Sequence, residues 1–235
     1  MDLKRDALIP AEELAARGPV RIKNESSEYR AARTALLAEE IKLRRQLEKV
    51  TQMRRALPPG GLVDGEYRFQ GEAGETSLEG LFGDKPTLLV YSYMFGPERE
   101  RPCPMCTANL GPLDQNARDL EQHIALAVVA RSPLEKLLAV KQERGWRALK
   151  LYTDLTGDYS RDYQGLEPDG SESGVMNVFT RRDGVLRHFW MGEITPDAAD
   201  PGQDPRDQPE LAPLWNVLDL TPEGRRADWY PKLRY

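Results

Sequence analysis

Apolar residues recur along this chain in two rhythms, and the change between them falls at one place. From residue 27 to 57, Tyr29, Leu36, Leu43, Val50 and Leu57 repeat every seven positions within a segment dense in Arg, Glu and Lys. That spacing predicts one long helix, with Ser26 or Ser27 able to cap it and Pro58-Pro59-Gly60-Gly61 to stop it. The companion row is poor, because Glu40 and Arg54 stand where a coiled coil wants apolar side chains and only Leu47 fits. Two readings stay open: a charged helix laying one stripe on its own domain, or a dimerisation helix that joins two copies of the chain. Upstream, residues 1–26 are weakly patterned, with a short helix expected over 10–17 and ended by Gly18-Pro19.

Beyond the Pro-Gly break, short apolar runs alternate with helical patterns. Residues 67–69 and 75–77 flank a turn at 71–74 and predict a hairpin, with a short helix over 77–82. The run 87–95 (TLLVYSYMF) is β-branched and aromatic, so it predicts a central strand. Residues 106–122 suit a helix that places Leu110, Leu113, Ala117 and Leu120 on one face. A buried strand is expected at 124–130, then a helix at 133–143 with Ser132 as its cap, Pro133 at its first position and Gly145 as its stop. A short strand at 149–153 precedes a loop rich in Gly and Asp that runs to Gly174. Residues 175–180 and 185–191 form a hairpin, for which Asp183-Gly184 is a strong turn signal. Residues 194–213 are dense in Pro, Asp and Gly and read as a long loop. The apolar pattern resumes at 214–220, and Trp229, Tyr230 and Tyr235 mark a tail that docks. The order strand, helix, strand, helix, strand, hairpin is that of an α/β fold with a central mixed sheet, its parallel crossovers right-handed.

Composition narrows the function. The 235 residues are 40% hydrophobic and 30% charged, enough to bury a core without spanning a bilayer; no stretch nears the roughly 18 apolar residues of a membrane helix. A net charge of −5 argues against a protein built around nucleic acid. Met1-Asp2-Leu3-Lys4-Arg5-Asp6 lacks the apolar core of a secretory signal, so a cytoplasmic location is expected.

Chemistry concentrates in Cys103-Pro104-Met105-Cys106, the only cysteines, set between a predicted strand and a predicted helix. Unpaired N–H groups and the helix dipole favour a thiolate at such a start, which makes Cys103 the expected nucleophile. Cys106, one turn on, is placed to resolve a mixed disulfide. Pro104 suits the first turn, Thr107 bonds its own helix backbone or lines the site, and Arg99 and Arg101 could lower the thiol pKa against Glu98 and Glu100. The expected substrate is a disulfide or thiol, protein or small molecule, and no cofactor or metal is required. Four other readings compete. Zinc would need His123 and His188, whose spacing matches no common site. Two inert buried cysteines are the bland alternative. A thiol peroxidase carries Pro and Thr or Ser upstream of its cysteine, where this chain has Gly96 and Glu100. A redox-sensing or protein-binding module would oxidise without turning over. His188 either lies near the site or is a half-buried strand histidine with a structural partner, and Tyr91 and Tyr93 are expected to pack. Asp154, Gly157, Asp158 and Asp162 lack a calcium-loop spacing, and no phosphate loop or dinucleotide fingerprint is present.

Several stretches together resemble a bacterial family, domain of unknown function 899: Glu28-Tyr29-Arg30-Ala31-Ala32-Arg33, Pro102-Cys103-Pro104-Met105-Cys106-Thr107, Arg144-Gly145-Trp146-Arg147, Asp200-Pro201-Gly202-Gln203-Asp204-Pro205-Arg206 and Asp228-Trp229-Tyr230-Pro231. The resemblance covers most of 27–235. It implies a thioredoxin-like three-layer fold and dithiol–disulfide exchange. Beside ordinary thioredoxins, Pro102 replaces the tryptophan before the first cysteine, the strand 87–95 has no buried acid, and Gly174 stands where a cis-proline faces the dithiol. These departures point to a dedicated or small-molecule substrate. The expected organisation is a helical extension over 1–57, a thioredoxin-like domain over 58–195 and a C-terminal segment over 196–235 packing on it.

Overall fold

The computed structural model describes residues 8–193, 213–224 and 228–235, so the loop expected over 194–213 lies outside the described residues except for Pro213. The chain divides into two compact units, Met1–Pro58 and Pro59–Tyr235.

In the first unit, α1 (Ala11–Ala16) packs on the long helix α2 (Ser27–Arg55). Ser26 caps α2 by accepting the Tyr29 amide at 3.0 Å. The stripe that α2 buries is Ala38 and Ile41, flanked by Leu37, against Ala11, Ala15 and Leu14 of α1. The heptad row is a different face: Leu36 and Leu43 are 53% and 60% exposed. Alanines let the two backbones approach, and that shifts the packed stripe off the leucine row.

The second unit is built on one seven-stranded sheet: β1 (Arg68–Gly71), β2 (Gly74–Ser77), β3 (Thr87–Ser92), β4 (Ala125–Ala130), β5 (Leu151–Asp154), β6 (Met176–Arg182) and β7 (Val185–Met191). The strand order is β2-β1-β5-β4-β3-β6-β7. β3, β4 and β5 run parallel, while β6 lies antiparallel to β3 and forms a hairpin with β7. Its helices are α3 (Leu78–Leu81), α4 (Pro104–Leu120), α5 (Leu134–Arg144), α6 (Asp158–Asp162) and α7 (Pro213–Leu218). Every residue of β4 is buried, as a parallel strand covered on both faces must be. Leu126 and Val128 meet Leu110 of α4 and Leu137 of α5 on one face; Ala127 and Val129 meet Leu81 of α3 and Tyr159 of α6 on the other. The result is a three-layer thioredoxin-like α/β fold.

Several expectations are corrected in detail. β3 ends at Ser92, not residue 95, because Phe95 N–H turns back to Tyr93 O; Tyr93 and Phe95 stay buried, which is why the apolar pattern ran on. α4 starts at Pro104, two residues earlier than expected, and this makes Cys103 its N-cap residue. Ser132 does not cap α5; its Oγ donates to Gly96 O at 2.9 Å, and Pro133 takes the cap position. The loop expected from 154 to 174 contains α6, with Asp154 buried beneath it and accepting from Gly157 N, Ser160 N and Ser160 Oγ. The β6–β7 turn is Asp183-Gly184, with φ of 51° and 72° that suit a two-residue hairpin. Outside the last strand, Gly61 O accepts His188 N at 2.9 Å and Val63 N donates to Leu186 O at 3.1 Å. Gly60 O also takes the Arg187 guanidinium at 2.8 Å. At Gly60 a side chain would collide with His188 O, so this approach needs glycine. The tail packs too, with Trp229 and Tyr230 edge-on to buried Trp215 of α7, while Tyr235 is exposed.

Candidate dithiol site

The loop from β3 to α4 presents Cys103 at the helix start, where its N–H donates to Met94 O at 3.0 Å. Both cysteines are free thiols. Cys103 is half-buried, and Cys106 is 3% exposed, one turn deeper in the core under Gly174. The two environments push the thiols in opposite directions. Hydrogen bonding from Cys106 lowers Cys103 most; burial opposes it, and the Cys106 and Met105 amides with the Arg99 charge bring it to about 6. Cys106 is pushed well above the usual thiol range, first by its bond to Cys103 and then by burial. The first thiol is therefore the one that ionises, and Cys106 keeps its proton.

Most of the residues expected at this site are brought together there, and one is not. Pro102 is buried behind Cys103, Pro104 begins the helix, and Met105 is half-buried beside the pair. Thr107 Oγ1 bonds Cys103 O at 2.8 Å and lies 2.7 Å from Tyr93 Oη, so it fixes the cap backbone and does not face substrate. Gly174 lies directly over the second thiol, where a Cβ would stand 2.7 Å from Cys106 Sγ. Arg101 is the exception. Its guanidinium is taken by Glu143 at 2.8 Å, and the arginine charge that bears most on Cys103 is that of Arg99. Gly96 and Glu100 carry no hydroxyl for Cys103; the Gly96 carbonyl accepts from Ser132 Oγ, and Glu100 is exposed.

His188 is on the other face of the sheet. The β6–β7 pairing matches Val178 with Trp190 but Phe179 with His188, and this bulge breaks the alternation. Trp190 joins the dithiol-side core, while His188 stacks on Tyr163 and bonds Asn177 Oδ1 at 2.9 Å. His123 follows the far end of α4. Among the described residues no three His, Cys, Asp or Glu side chains group as a metal site, and no helix is long and apolar enough to cross a membrane.

Two groups escaped the sequence reading. Tyr91, expected only to pack, brings its hydroxyl up to Gly174 beside the Cys106 sulfur. Glu172, its side chain 8% exposed, holds Arg99 at 2.6 Å with Arg131 at 3.9 Å. The absence of a buried acid in β3 was the one signal that something else must face Cys106.

Fold and site together define a thioredoxin-like protein with a paired thiol at a helix N-terminus. Residues 19–235 match the family described as Bacterial protein of unknown function (DUF899), and the chain belongs to that family. No curated protein matches the chain. Among solved structures, the mitochondrial 2-Cys peroxiredoxin of Plasmodium falciparum is similar at 16% identity and a TM-score of 0.42, over 73% of this chain and 99% of that one. Thioredoxin peroxidase I of Plasmodium yoelii gives 16% and 0.42, over 74% and 100%. Peroxidoxin BcpB of Mycobacterium tuberculosis gives 15% and 0.41, over 55% and 82%.

Proposed function

We propose that the protein is a dithiol–disulfide oxidoreductase in which Cys103 is the nucleophile and Cys106 the resolving thiol. The observation that carries this reading is the division of labour between the two sulfurs. One is reachable and ionised near neutral pH; the other is buried, protonated and one helical turn away. The Cys103 thiolate attacks a substrate disulfide, forming a mixed disulfide and expelling one substrate thiolate. Cys106 then loses its proton and attacks Cys103 Sγ; the second substrate thiolate leaves and takes up a proton. The substrate gains two electrons and the enzyme ends as a disulfide. In the cytoplasm, low-molecular-weight thiols or a reductase would restore the dithiol.

Two measurements test this. Equilibration in glutathione buffers of graded potential, with thiol titration, is expected to show one cooperative two-electron transition. A midpoint near about −270 mV would mark a reductant and one near about −120 mV an oxidant. In Cys106→Ser, attack of Cys103 on disulfides in a cell extract is expected to leave mixed disulfides that accumulate on Cys103. Thiols that stay reduced across the whole range, with nothing trapped, would overturn the assignment.

A further inference from the structure

β3 carries no carboxylate toward the resolving cysteine. The side chain that reaches that sulfur from the strand is Tyr91, 4% exposed and paired in register with Val128 on one side and Met176 on the other. Ser92 N bonds Val175 O at 2.8 Å, and that link draws the start of β6 over the strand end. Gly174 is thereby set above both groups: a Cβ there would lie 2.7 Å from Cys106 Sγ and 3.5 Å from Tyr91 Oη. Asn109 follows Cys106 by three residues in α4, so the two side chains share a face of that helix. With the Cys106 S–H directed at Cys103, the phenol is left to donate to sulfur and to accept from the amide. The Asn109 amide donates to Tyr91 Oη, and Tyr91 O–H donates to sulfur.

We propose that the Tyr91 hydroxyl, oriented by Asn109 and roofed by Gly174, stabilises the Cys106 thiolate as it forms in the resolving step. The proposal rests on the oxidoreductase reading above. Tyr91 is not a general base, since burial keeps its own proton in place. It donates a hydrogen bond that is neutral-to-thiol in the resting protein and charge-assisted once Cys106 ionises, so it strengthens when the reaction needs it. The Cys106 proton leaves to solvent, Cys106 Sγ bonds Cys103 Sγ, and the bond from Cys103 to the substrate sulfur breaks with its electron pair on the departing thiolate. The ionisable groups facing Tyr91 are Cys106 and Cys103 themselves. The Gly174 roof leaves no volume for a side chain over Cys106 and Tyr91.

The test uses the reduced full-length protein and one equivalent of 5,5′-dithiobis(2-nitrobenzoate). The first thionitrobenzoate released reports attack by Cys103, and the second reports resolution by Cys106. Tyr91→Phe is expected to leave the first release within about twofold of wild type. It should slow the second by about tenfold or more and move the pH midpoint of that step upward. Asn109→Leu should slow the second release in the same direction by less. A second release at the wild-type rate in Tyr91→Phe would overturn the proposal, as would equal slowing of both releases, the mark of a merely structural role. If wild type itself released only one equivalent, the oxidoreductase reading would fail first, and this proposal with it.

Discussion

Arg99 gives the residue-scale chemistry its charge. Its guanidinium is half-exposed and held by Glu172, and it contributes to keeping Cys103 ionised. The rate of Cys103 alkylation by iodoacetamide should rise with pH around a midpoint of about 6. In Arg99→Gln the midpoint should move up, so that the rate at pH 6 falls about two- to threefold. Added salt should act in the same direction on wild type, because an exposed charge is screened. Alkylation that follows an ordinary thiol profile, rising only above pH 8, would contradict the site geometry. At this scale the cysteines, Pro104 and Thr107 were legible because their chemistry is written in consecutive residues. The Arg101–Glu143 pair was not readable, because its two members lie 42 residues apart. Tyr91 was invisible for the same kind of reason: its pattern is that of any core strand residue, and its partner belongs to the next helix.

Among the elements, α4 is pinned by a residue that its apolar pattern does not advertise. Asp114 is 4% exposed, and its Oδ1 accepts the amides of Arg147, Ala148 and Leu149 at 2.9, 2.8 and 3.0 Å. Burial raises its pKa, but the three donors together hold the carboxyl below its ordinary value. Asp114→Ala would strand three amides and is expected to cost about 3 kcal/mol at pH 7, read as a lower urea midpoint. A carboxyl with a depressed folded pKa stabilises above the unfolded value, about 3.9, and loses that contribution as pH falls through the folded one. The stability gap between Asp114→Ala and wild type should therefore narrow below about pH 4. Equal midpoints at pH 7 would show that the three amides find other acceptors. The strands and longer helices were readable from periodicity. α6 was not, since five residues of Asp, Tyr, Ser and Arg resemble a loop until Asp154 bonds beneath them. The β7 bulge was not readable either, because one extra residue leaves no trace in an alternating pattern.

For the whole molecule, the sequence order of strands was legible but their neighbour order was not. Nothing local says that β1, first in the chain, pairs with β5. The leucine row of α2 was visible as a repeat, yet which face α1 covers depends on small side chains, Ala38 and Ala15, that carry no pattern. The second unit contains two large core clusters made from its own residues. A chain beginning at Pro59 is therefore expected to unfold cooperatively and to keep the Cys103 alkylation midpoint within a few tenths of a pH unit. Loss of the cooperative transition would show that the first 58 residues are needed to form the sheet. The segment at 60–63 has a consequence of another kind. It lies beside β7, and Gly60 meets Arg187 across 127 residues of chain. On the ribosome this stretch emerges early and stays without its partner until the final strand has been synthesised. A polypeptide truncated before β7 leaves this segment and the β6 edge without their backbone partners, an unpaired edge of the kind that invites association with other chains.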